Sequence, residues 1–463
     1  MTRYVFIILS LIISSPLRSQ NLVPNNSFEI QKGNLPDGWS EMYPRAEIAP
    51  EFSTDNSVSH SGKHSAKISA KGSIGTYGYL QTSFTGIESG SSKIRDIITL
   101  ADSDFLGTNN YVISGYFRTS TEVNPEKNIR IKITWLDKNS NELLTEFISD
   151  ITTEKGWHRF TGLRAAPLNA AGMNIRLILQ WAGSGSVWWD DLHVEKAPAS
   201  LQRHVVIATA SSWPNYPSTT EKNLKFYSEM ISEAGNKGAD IICLGEGITT
   251  VSTGKSYSDA AEPVPGPTTK ILGDAARKAG IYVVAGIYER EGSLIYNTAV
   301  LLDRKGEVAG RYRKTHLPQT EVEGGLTPGD TYPVFKTDFG TIGMEICYDN
   351  FFPEVAHQLT LNGAEIIFCP IAGDIRGLRQ EWSIVARARA IDNAVFFTAS
   401  MYEKRGSLII DPNGVILQDT GNSDGYILSK VNLGMRTFEK WLSNKSFGEW
   451  KKLMPNEIRP ETY

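Results

Sequence analysis

The chain has 463 residues, of which 40% are hydrophobic and 21% are charged, and its formal net charge is −4. These values are ordinary for globular protein, and the balance of 47 basic and 51 acidic side chains gives no support for nucleic-acid binding or an acidic tail. At roughly 150 residues per domain, the length predicts two or three domains.

The first 20 residues have the pattern of a secretory signal peptide. Met1–Tyr4 carries one positive charge, Val5–Ile13 is almost entirely apolar, and Ser14–Gln20 is small and polar. The apolar run is shorter than the ~20 residues that span a bilayer, and no cysteine follows it for lipid attachment. We therefore expect residues 1–20 to be removed near Ser19 or Gln20, and the mature protein to be secreted or periplasmic.

Residues 21–197 have the pattern of an all-β domain. The apolar side chains of Ile129, Ile131 and Ile133 alternate with polar ones, and the segment from Ile175 to Trp181 alternates in the same way. A period of two with turn-rich segments between the runs predicts half-buried strands of a β-sandwich.

Several short segments of this half resemble a carbohydrate-binding-module jelly roll, which is a galactose-binding-like fold. They are Asn21–Glu29, Pro36–Trp39, His60–Ala66 and Val187–Leu192. The resemblance implies a scaffold and allows a glycan partner. The four tryptophans that we considered as sugar platforms are more typical of core positions, and they are Trp39, Trp157, Trp188 and Trp189. In related modules acids such as Glu29 and Asp191 help to hold calcium, but the sequence offers at most three of the six or more oxygens required.

After a linker at residues 198–203, strands and helices alternate. This alternation predicts an α/β domain over residues 204–440, followed by a C-terminal tail at residues 441–463. The predicted strands cover residues 204–210, 241–244, 281–286, 298–302 and 366–370. The predicted helices cover residues 222–235, 268–279, 351–361 and 378–393.

Three reactive side chains stand at predicted strand ends in this half. Cys347 follows the apolar run that ends Thr341-Ile342-Gly343, Lys314 lies in Gly310–Pro318, and Glu246 follows the strand at residues 241–244. A thiol at a strand-to-turn junction can be ionised by its neighbours and act as a nucleophile.

The order of glutamate, lysine and cysteine resembles the nitrilase, or carbon–nitrogen hydrolase, superfamily over about residues 203–433. Further matching segments are Leu326–Asp330, Arg387–Asn393 and Ile409–Gly414. Two positions depart from the family pattern, because Gly245 stands where a proline is usual and Asp392 where glutamate is more common. The resemblance implies a four-layer α-β-β-α sandwich that pairs with a second copy as a homodimer or larger homo-oligomer.

The resemblance also implies the chemistry. Cys347 would form an acyl-enzyme, Glu246 would act as general base and acid, and Lys314 with the backbone N–H of Tyr348 would stabilise the oxyanion. In the family a second glutamate between the lysine and the Thr-Pro-Gly turn keeps the lysine cationic; the spacing here is ambiguous, with Glu323 as the best match and Glu321 as the fallback. We expect no metal and no cofactor, and a small amide or carbamoyl substrate.

Other interpretations remain open from the sequence. Cys347 can be a half-buried structural cysteine, and Glu246 and Lys314 can be solvated charges. Cys243 and Cys369 lie in apolar strands typical of core. A papain-like enzyme needs a Cys–His pair, but the histidines of this half lack such a signature. The alternative from another class is a non-enzymatic exported glycan-binding protein with a hydrolase-like half.

Overall fold

The computed structural model describes residues 20–90, 106–198, 203–373, 379–402, 406–420, 425–436, 438–439 and 447–449. The predicted signal peptide, most of the predicted linker and most of the C-terminal tail lie outside these residues. The chain divides into two compact units. The first unit contains residues 1–200 and 440–448, and the second contains residues 201–439 and 449–463.

Two sheets build the first unit, and their strands pair antiparallel except for Phe447–Glu449, which pairs parallel with Glu142–Ile148. The first sheet has six strands, which in spatial order are Asp150–Glu154, Trp157–Pro167, Leu106–Thr119, Ser186–Ala197, Ser65–Ser69 and Glu51–Asp55. Neighbours in the second sheet include, in spatial order, Phe447–Glu449, Glu142–Ile148, Ile129–Leu136, Gly172–Gln180, Tyr77–Thr85 and Ser40–Met42. The smaller elements here are the strands Gln31–Lys32 and Leu35–Pro36, the 3₁₀ helix Ala46–Ile48 and the helical turn Pro125–Asn128.

Buried aromatic side chains lie between these two sheets. Tyr111 of the first sheet contacts Trp135 of the second, with ring centroids 5.9 Å apart. Of the four tryptophans considered above, Trp39, Trp157 and Trp189 are buried, as predicted for core residues. Trp188 is only half-buried, and its indole N–H donates to Asp55. The jelly-roll interpretation stays a prediction.

Two six-stranded mixed sheets build the second unit. One contains Val308–Arg313, Leu294–Leu302, Tyr282–Glu291, Ile241–Cys243, His204–Ala210 and Tyr426–Asn432. The other contains Val334–Lys336, Thr341–Met344, Ile366–Ile371, Phe396–Met401, Leu408–Ile410 and Ile416–Asp419. The central three strands of each sheet are parallel, so their carboxyl ends share one edge. Phe438–Glu439 forms a further short strand.

Helices cover the outer face of each sheet. Thr220–Asn236 and Pro267–Ala279 share a core with the first of these sheets. Pro353–Leu361 and Arg379–Asn393 belong to the core that also fills the space between the sheets. The remaining helices are Tyr257–Ala260, Gln319–Glu323 and the 3₁₀ helix Cys347–Phe351. The layers therefore run helix, sheet, sheet, helix.

The predicted elements of this unit agree with the observed ones to within a few residues at most ends. Gly280 adopts a left-handed conformation with φ 69° and ends its helix, as the sequence predicted. The predicted helix at residues 351–361 begins at Pro353, because the 3₁₀ helix Cys347–Phe351 occupies the preceding turn. The strand Val308–Arg313 directly precedes Lys314, so the lysine stands at a strand end as predicted, although the bounds of that strand were not. None of the helices in the described part of the chain is long and apolar enough to cross a membrane.

Candidate active site

Cys347 lies where the strand Thr341–Met344 gives way to a 3₁₀ helix. Its backbone has φ 48°, a left-handed conformation that is unfavourable for any residue with a side chain. The carboxylate of Asp349 holds this turn by accepting the backbone N–H of Ile346 at 3.1 Å. Strain that the surrounding structure maintains is typical of functional positions, and here it fixes the direction of the thiol.

Asp349 also ties the cysteine turn to the segment that carries Lys314. Its carboxylate accepts the hydroxyl of Tyr312 at 2.8 Å, the hydroxyl of Thr315 at 3.0 Å and the backbone N–H of His316 at 2.8 Å. These residues flank Lys314 on both sides. One fully buried carboxylate thus sets the position of the thiol relative to the lysine.

Glu246 follows the strand Ile241–Cys243, and Gly245 before it is required by close packing. A Cβ at Gly245 would lie 2.1 Å from the ring of Tyr402. The hydroxyl of Tyr402 in turn donates to the backbone carbonyl of Glu246. The glycine that departs from the family pattern therefore makes room for a tyrosine that fixes the backbone of the catalytic candidate.

Lys314 is 1% exposed and lies between two carboxylates. Its ammonium donates to Glu246 at 2.9 Å and to Glu321 at 3.0 Å. The amide of Asn297 donates to the same two oxygens, at 2.7 Å and 2.9 Å. Burial alone would lower the pKa of Lys314, but the negative charges of Glu246 and Glu321 raise it well above its usual value, so the lysine stays cationic.

The structure corrects our choice of the second acid. Glu321, and not Glu323, contacts Lys314, while Glu323 accepts a hydrogen bond from Gln319 on the exposed side. Both acids lie on the helix Gln319–Glu323. Successive residues of a helix are rotated by about 100°, so Glu321 and Glu323, two residues apart, lie on nearly opposite faces. Only one of the two can therefore face the lysine.

The two carboxylates at the lysine have different proton affinities. Burial would raise the pKa of Glu246, but the Lys314 ammonium and the hydrogen bonds from Lys314, Cys347 and Ala372 hold it below its usual value. The N–H of Ala372 donates to Glu246 at 2.8 Å. Burial raises the pKa of Glu321, and Lys314 only partly offsets this. Glu246 is therefore the carboxylate available to accept a proton.

The thiol of Cys347 lies close enough to that carboxylate for the two groups to shift each other's pKa. Burial, followed by the negative charge of Glu246, raises the pKa of Cys347 well above its usual value, against the opposing effect of Lys314. The resting cysteine is therefore a neutral thiol with an ionised base beside it. The structure thus brings Glu246, Lys314 and Cys347 together. The N–H of Tyr348 belongs to the first turn of the 3₁₀ helix, where N–H groups have no acceptor within the helix.

Sequence reasoning missed Asn297 and Tyr402. The signal for Asn297 was an asparagine inside the apolar run of the strand Leu294–Leu302, where an amide must find partners. The segment Leu326–Asp330, found by resemblance, also has a visible role. Gly329 donates its N–H to the carbonyl of Lys314 at 2.8 Å, which fixes the backbone of the lysine.

Other candidates lie elsewhere. Cys243 and Cys369 are fully buried, as predicted. The imidazole of His316 faces Asp349 at 3.1 Å, and that of His357 faces Asn393 at 3.2 Å, so neither forms a papain-like pair with Cys347. Within the described ranges, no group of three or more histidine, cysteine or acidic side chains could hold a metal ion. Glu29 and Asp191 accept hydrogen bonds from different neighbours in the first unit.

Comparison with known proteins places this site in a family context. The sequence model of the family described as Carbon-nitrogen hydrolase matches residues 205–437. A Synechocystis protein named deaminated glutathione amidase is 32% identical over 249 residues, covering 49% of this chain and 91% of the relative. Omega-amidase NIT2 of Xenopus tropicalis is 30% identical over 230 residues, which cover 46% of this chain and 83% of the relative. Among solved structures, that of Saccharomyces cerevisiae Nit3 superposes with a TM-score of 0.45 and 24% sequence identity. The superposition covers 50% of this chain and 90% of Nit3.

Proposed function

The chain belongs to the carbon–nitrogen hydrolase family and is an amidase-like enzyme, and we propose that it cleaves a non-peptide amide or carbamoyl amide through an acyl-enzyme on Cys347. The observation that carries this proposal is that one buried carboxylate, Glu246, accepts a hydrogen bond from the ammonium of Lys314 at 2.9 Å and interacts with the thiol of Cys347. A base, a nucleophile and a cation for the oxyanion are thereby within one cluster.

In the first half of the reaction, Glu246 removes the thiol proton as the sulfur of Cys347 attacks the carbonyl carbon. The oxyanion that forms is stabilised by the Lys314 ammonium and the N–H of Tyr348, and one such donor commonly contributes about 10²–10³ in rate. Glu246 then gives its proton to the leaving nitrogen. The C–N bond breaks, ammonia or an amine departs, and a thioester remains on Cys347.

In the second half, Glu246 removes a proton from water, whose oxygen attacks the thioester carbon. The second oxyanion uses the same donors. Collapse breaks the C–S bond, releases the carboxylic acid, or the carbamic acid from a carbamoyl substrate, and returns the proton to the sulfur. General acid–base work of this kind typically contributes about 10²–10⁴ in rate. Glu321 is a positioning residue, because it holds Lys314 and touches no reacting atom in this scheme.

The test is ammonia release from a panel of small amides, carbamoyl amines and nitriles. Cys347→Ala should abolish release from the best substrate and shift the thermal transition only slightly, since it removes one sulfur atom from a half-buried side chain at the edge of the core. Glu246→Gln should slow both halves of the reaction. A short incubation of wild type with that substrate should reveal an adduct of acyl mass on the peptide carrying Cys347. Undiminished ammonia release by Cys347→Ala would refute the proposal.

We also propose that the enzyme acts after export. The charged start and the apolar run at residues 5–13 support this, although they lie outside the described residues. N-terminal sequencing of protein from the native cell should give a start between Ser19 and Asn21. An intact Met1 on the active protein would exclude export by a cleaved signal peptide.

A further inference from the structure

The ring of Tyr257 lies between the segments that carry the two carboxylates of the candidate active site. On one side it contacts Tyr288, with ring centroids 4.7 Å apart. A Cβ at Gly247, the residue after Glu246, would lie 3.1 Å from the Tyr288 hydroxyl. On the other side, a Cβ at Gly324 would lie 2.7 Å from the Tyr257 ring, and Gly324 caps the helix that carries the second acid. Tyr257 is therefore separated from the residue after Glu246 by one ring and packs directly on the end of that helix.

The segment that carries Tyr257 is held on the strand that contains Tyr288. The N–H of Glu262 donates to the carbonyl of Tyr288 at 3.1 Å, and the N–H of Arg290 donates to the carbonyl of Glu262 at 2.8 Å. The Arg290 guanidinium also donates to the backbone carbonyl of Ser258, next to Tyr257, at 2.7 Å. These bonds fix the segment before a substrate arrives, which lowers the cost of ordering a side chain on binding.

The phenol of Tyr257 is a free hydrogen-bond donor. Its side chain is half-buried, and its O–H forms no hydrogen bond with any residue in the described part of the chain. Burial raises its pKa, and so do the charges of Glu321 and Glu246, whereas Lys314 lowers it. The phenol therefore stays protonated. A negative charge beside it would meet the same two carboxylates, so this position favours an acceptor without charge.

A small apolar cluster includes the ring of Tyr257 and is separate from the two large cores of the second unit. Ile295 of this cluster lies two residues before Asn297 on one strand, so both side chains are on the same face, which is the face towards the carboxylates. Leu317 of the cluster follows Lys314 by three residues. An apolar surface beside the catalytic groups can cover the hydrocarbon part of an acyl group. The buried members are Tyr288, Ile295 and Leu326, and the half-buried ones are Tyr257, Ala260, Ala261 and Leu317.

These contacts describe the acyl side of a substrate. We propose that the phenol O–H of Tyr257 donates a hydrogen bond to an uncharged acceptor in the acyl group, and that the rest of the acyl group is apolar and lies on this cluster. Ether, ketone and second-amide oxygens are acceptors of this kind. The inference rests on the proposed function for the reaction, but the contact itself can be measured by binding alone. Tyr257 sets specificity and takes no part in the proton transfers.

The test compares hexanamide with three amides in which an ether oxygen replaces one of its methylenes. They are 2-propoxyacetamide, 3-ethoxypropanamide and 4-methoxybutanamide, which place the oxygen at three distances from the carbonyl. Tyr257→Phe removes the phenol oxygen and keeps the ring. For at least one ether, the ratio of its kcat/KM to that of hexanamide should fall about three- to tenfold in this variant, which is the size expected for one hydrogen bond between uncharged groups.

Binding of the same four amides to Cys347→Ala, followed by NMR titration, tests the contact without turnover. Adding Tyr257→Phe to Cys347→Ala should weaken binding of that ether, relative to hexanamide, by the same factor. Ammonia release by Cys347→Ala would contradict the proposed hydrolysis, whereas the binding difference depends only on Tyr257. The two failures are therefore distinguishable, and a protein that binds none of the four amides would contradict the present proposal.

The matched control is Tyr43→Phe. Tyr43 is 43% exposed, belongs to the first unit and stacks its ring on Phe52, so the same atom is removed from a tyrosine of the other unit. Its ether-to-hexanamide ratios should equal those of wild type. The thermal transition of Tyr257→Phe should also equal that of wild type, because the contacts of its ring with Tyr288 and Gly324 are kept.

Ratios that stay unchanged in Tyr257→Phe for all three ethers would overturn the proposal, since a purely structural effect slows hexanamide and the ethers equally. The monoamides of glutaric and adipic acid form the charged arm of the test. A loss with these two amides that exceeds the loss with every ether would show that the acceptor is an anion, and the assignment of an uncharged acceptor would fail.

Discussion

Glu345, two residues before the nucleophile, should make the second unit less stable as pH rises. It is fully buried, and neither carboxyl oxygen has a hydrogen-bond partner among the described residues. Burial, and then the negative charge of Asp349, raise the pKa of Glu345 from 4.5 to about 8. The folded protein therefore holds a proton that the unfolded chain releases near pH 4.5. The stability is complete below pH 4.5 and is lost as pH rises towards 8.

The size of this effect follows from the interval of about 3.5 pH units between 4.5 and about 8. Each pH unit costs about 1.4 kcal/mol, so the full cost is ~5 kcal/mol at pH 8 and ~3 kcal/mol at pH 7. Glu345→Gln removes the titration and keeps the shape. Its buried amide adds a cost of about 1–3 kcal/mol that does not depend on pH. The variant should thus be the less stable protein at pH 4.5 and the more stable one at pH 8.

Urea unfolding of wild type and Glu345→Gln at pH 4.5, 6, 7 and 8 measures this difference, and other titrating groups cancel between the two proteins. Because the chain has two units, the comparison uses the midpoint of the transition that Glu345→Gln shifts. A stability difference that is constant across the pH range would show that Glu345 is ionised in the folded protein, and the reasoning would fail.

Three further predictions concern the active site. Glu321→Gln should lower kcat by roughly tenfold or more, because it weakens the contact that positions Lys314. Glu323→Gln should leave the steady-state kinetics unchanged. Equal effects of the two substitutions on kcat would contradict the assignment of Glu321 as the positioning acid. Gly245→Ala should destabilise the fold by roughly 1–3 kcal/mol, seen in thermal unfolding, since the new methyl meets Tyr402; an unchanged transition would contradict the packing argument. Iodoacetamide should label Cys347 ahead of the two buried cysteines in peptide mass analysis, and labelling of another cysteine first would refute it.

The sequence predicted the second unit well because its signals are local. The helix Pro267–Ala279 ends where a glycine can adopt a left-handed conformation, and the apolar strands Ile241–Cys243 and Ile366–Ile371 are short runs without polar interruptions. The order of Glu246, Lys314 and Cys347 then predicted the candidate active site, because each of these residues follows a strand directly or within a few residues.

What the sequence could not supply depends on packing between distant segments. The choice between Glu321 and Glu323 required the orientation of a helix of five residues, which no periodicity can fix. The role of Tyr402 required the approach of a strand 156 residues away in sequence to Glu246. The position of Lys132 opposite Arg176 required strand register, since the two residues are neighbours only after the sheet has formed.

The charges around Lys314 explain why a cysteine with a raised pKa suits this mechanism. A permanent thiolate at Cys347 would add a further anion to a cluster that already holds Glu246 and Glu321 against one lysine. Moving the thiol proton to Glu246 instead converts one anion into another, so the net charge of the cluster stays constant while the nucleophile forms. Glu321, whose pKa is raised by burial, adds its negative charge less readily than Glu246 does. In the proposed reaction, the attack would draw negative charge onto the substrate oxygen near the Lys314 ammonium, which Glu246 and Glu321 already hold in place.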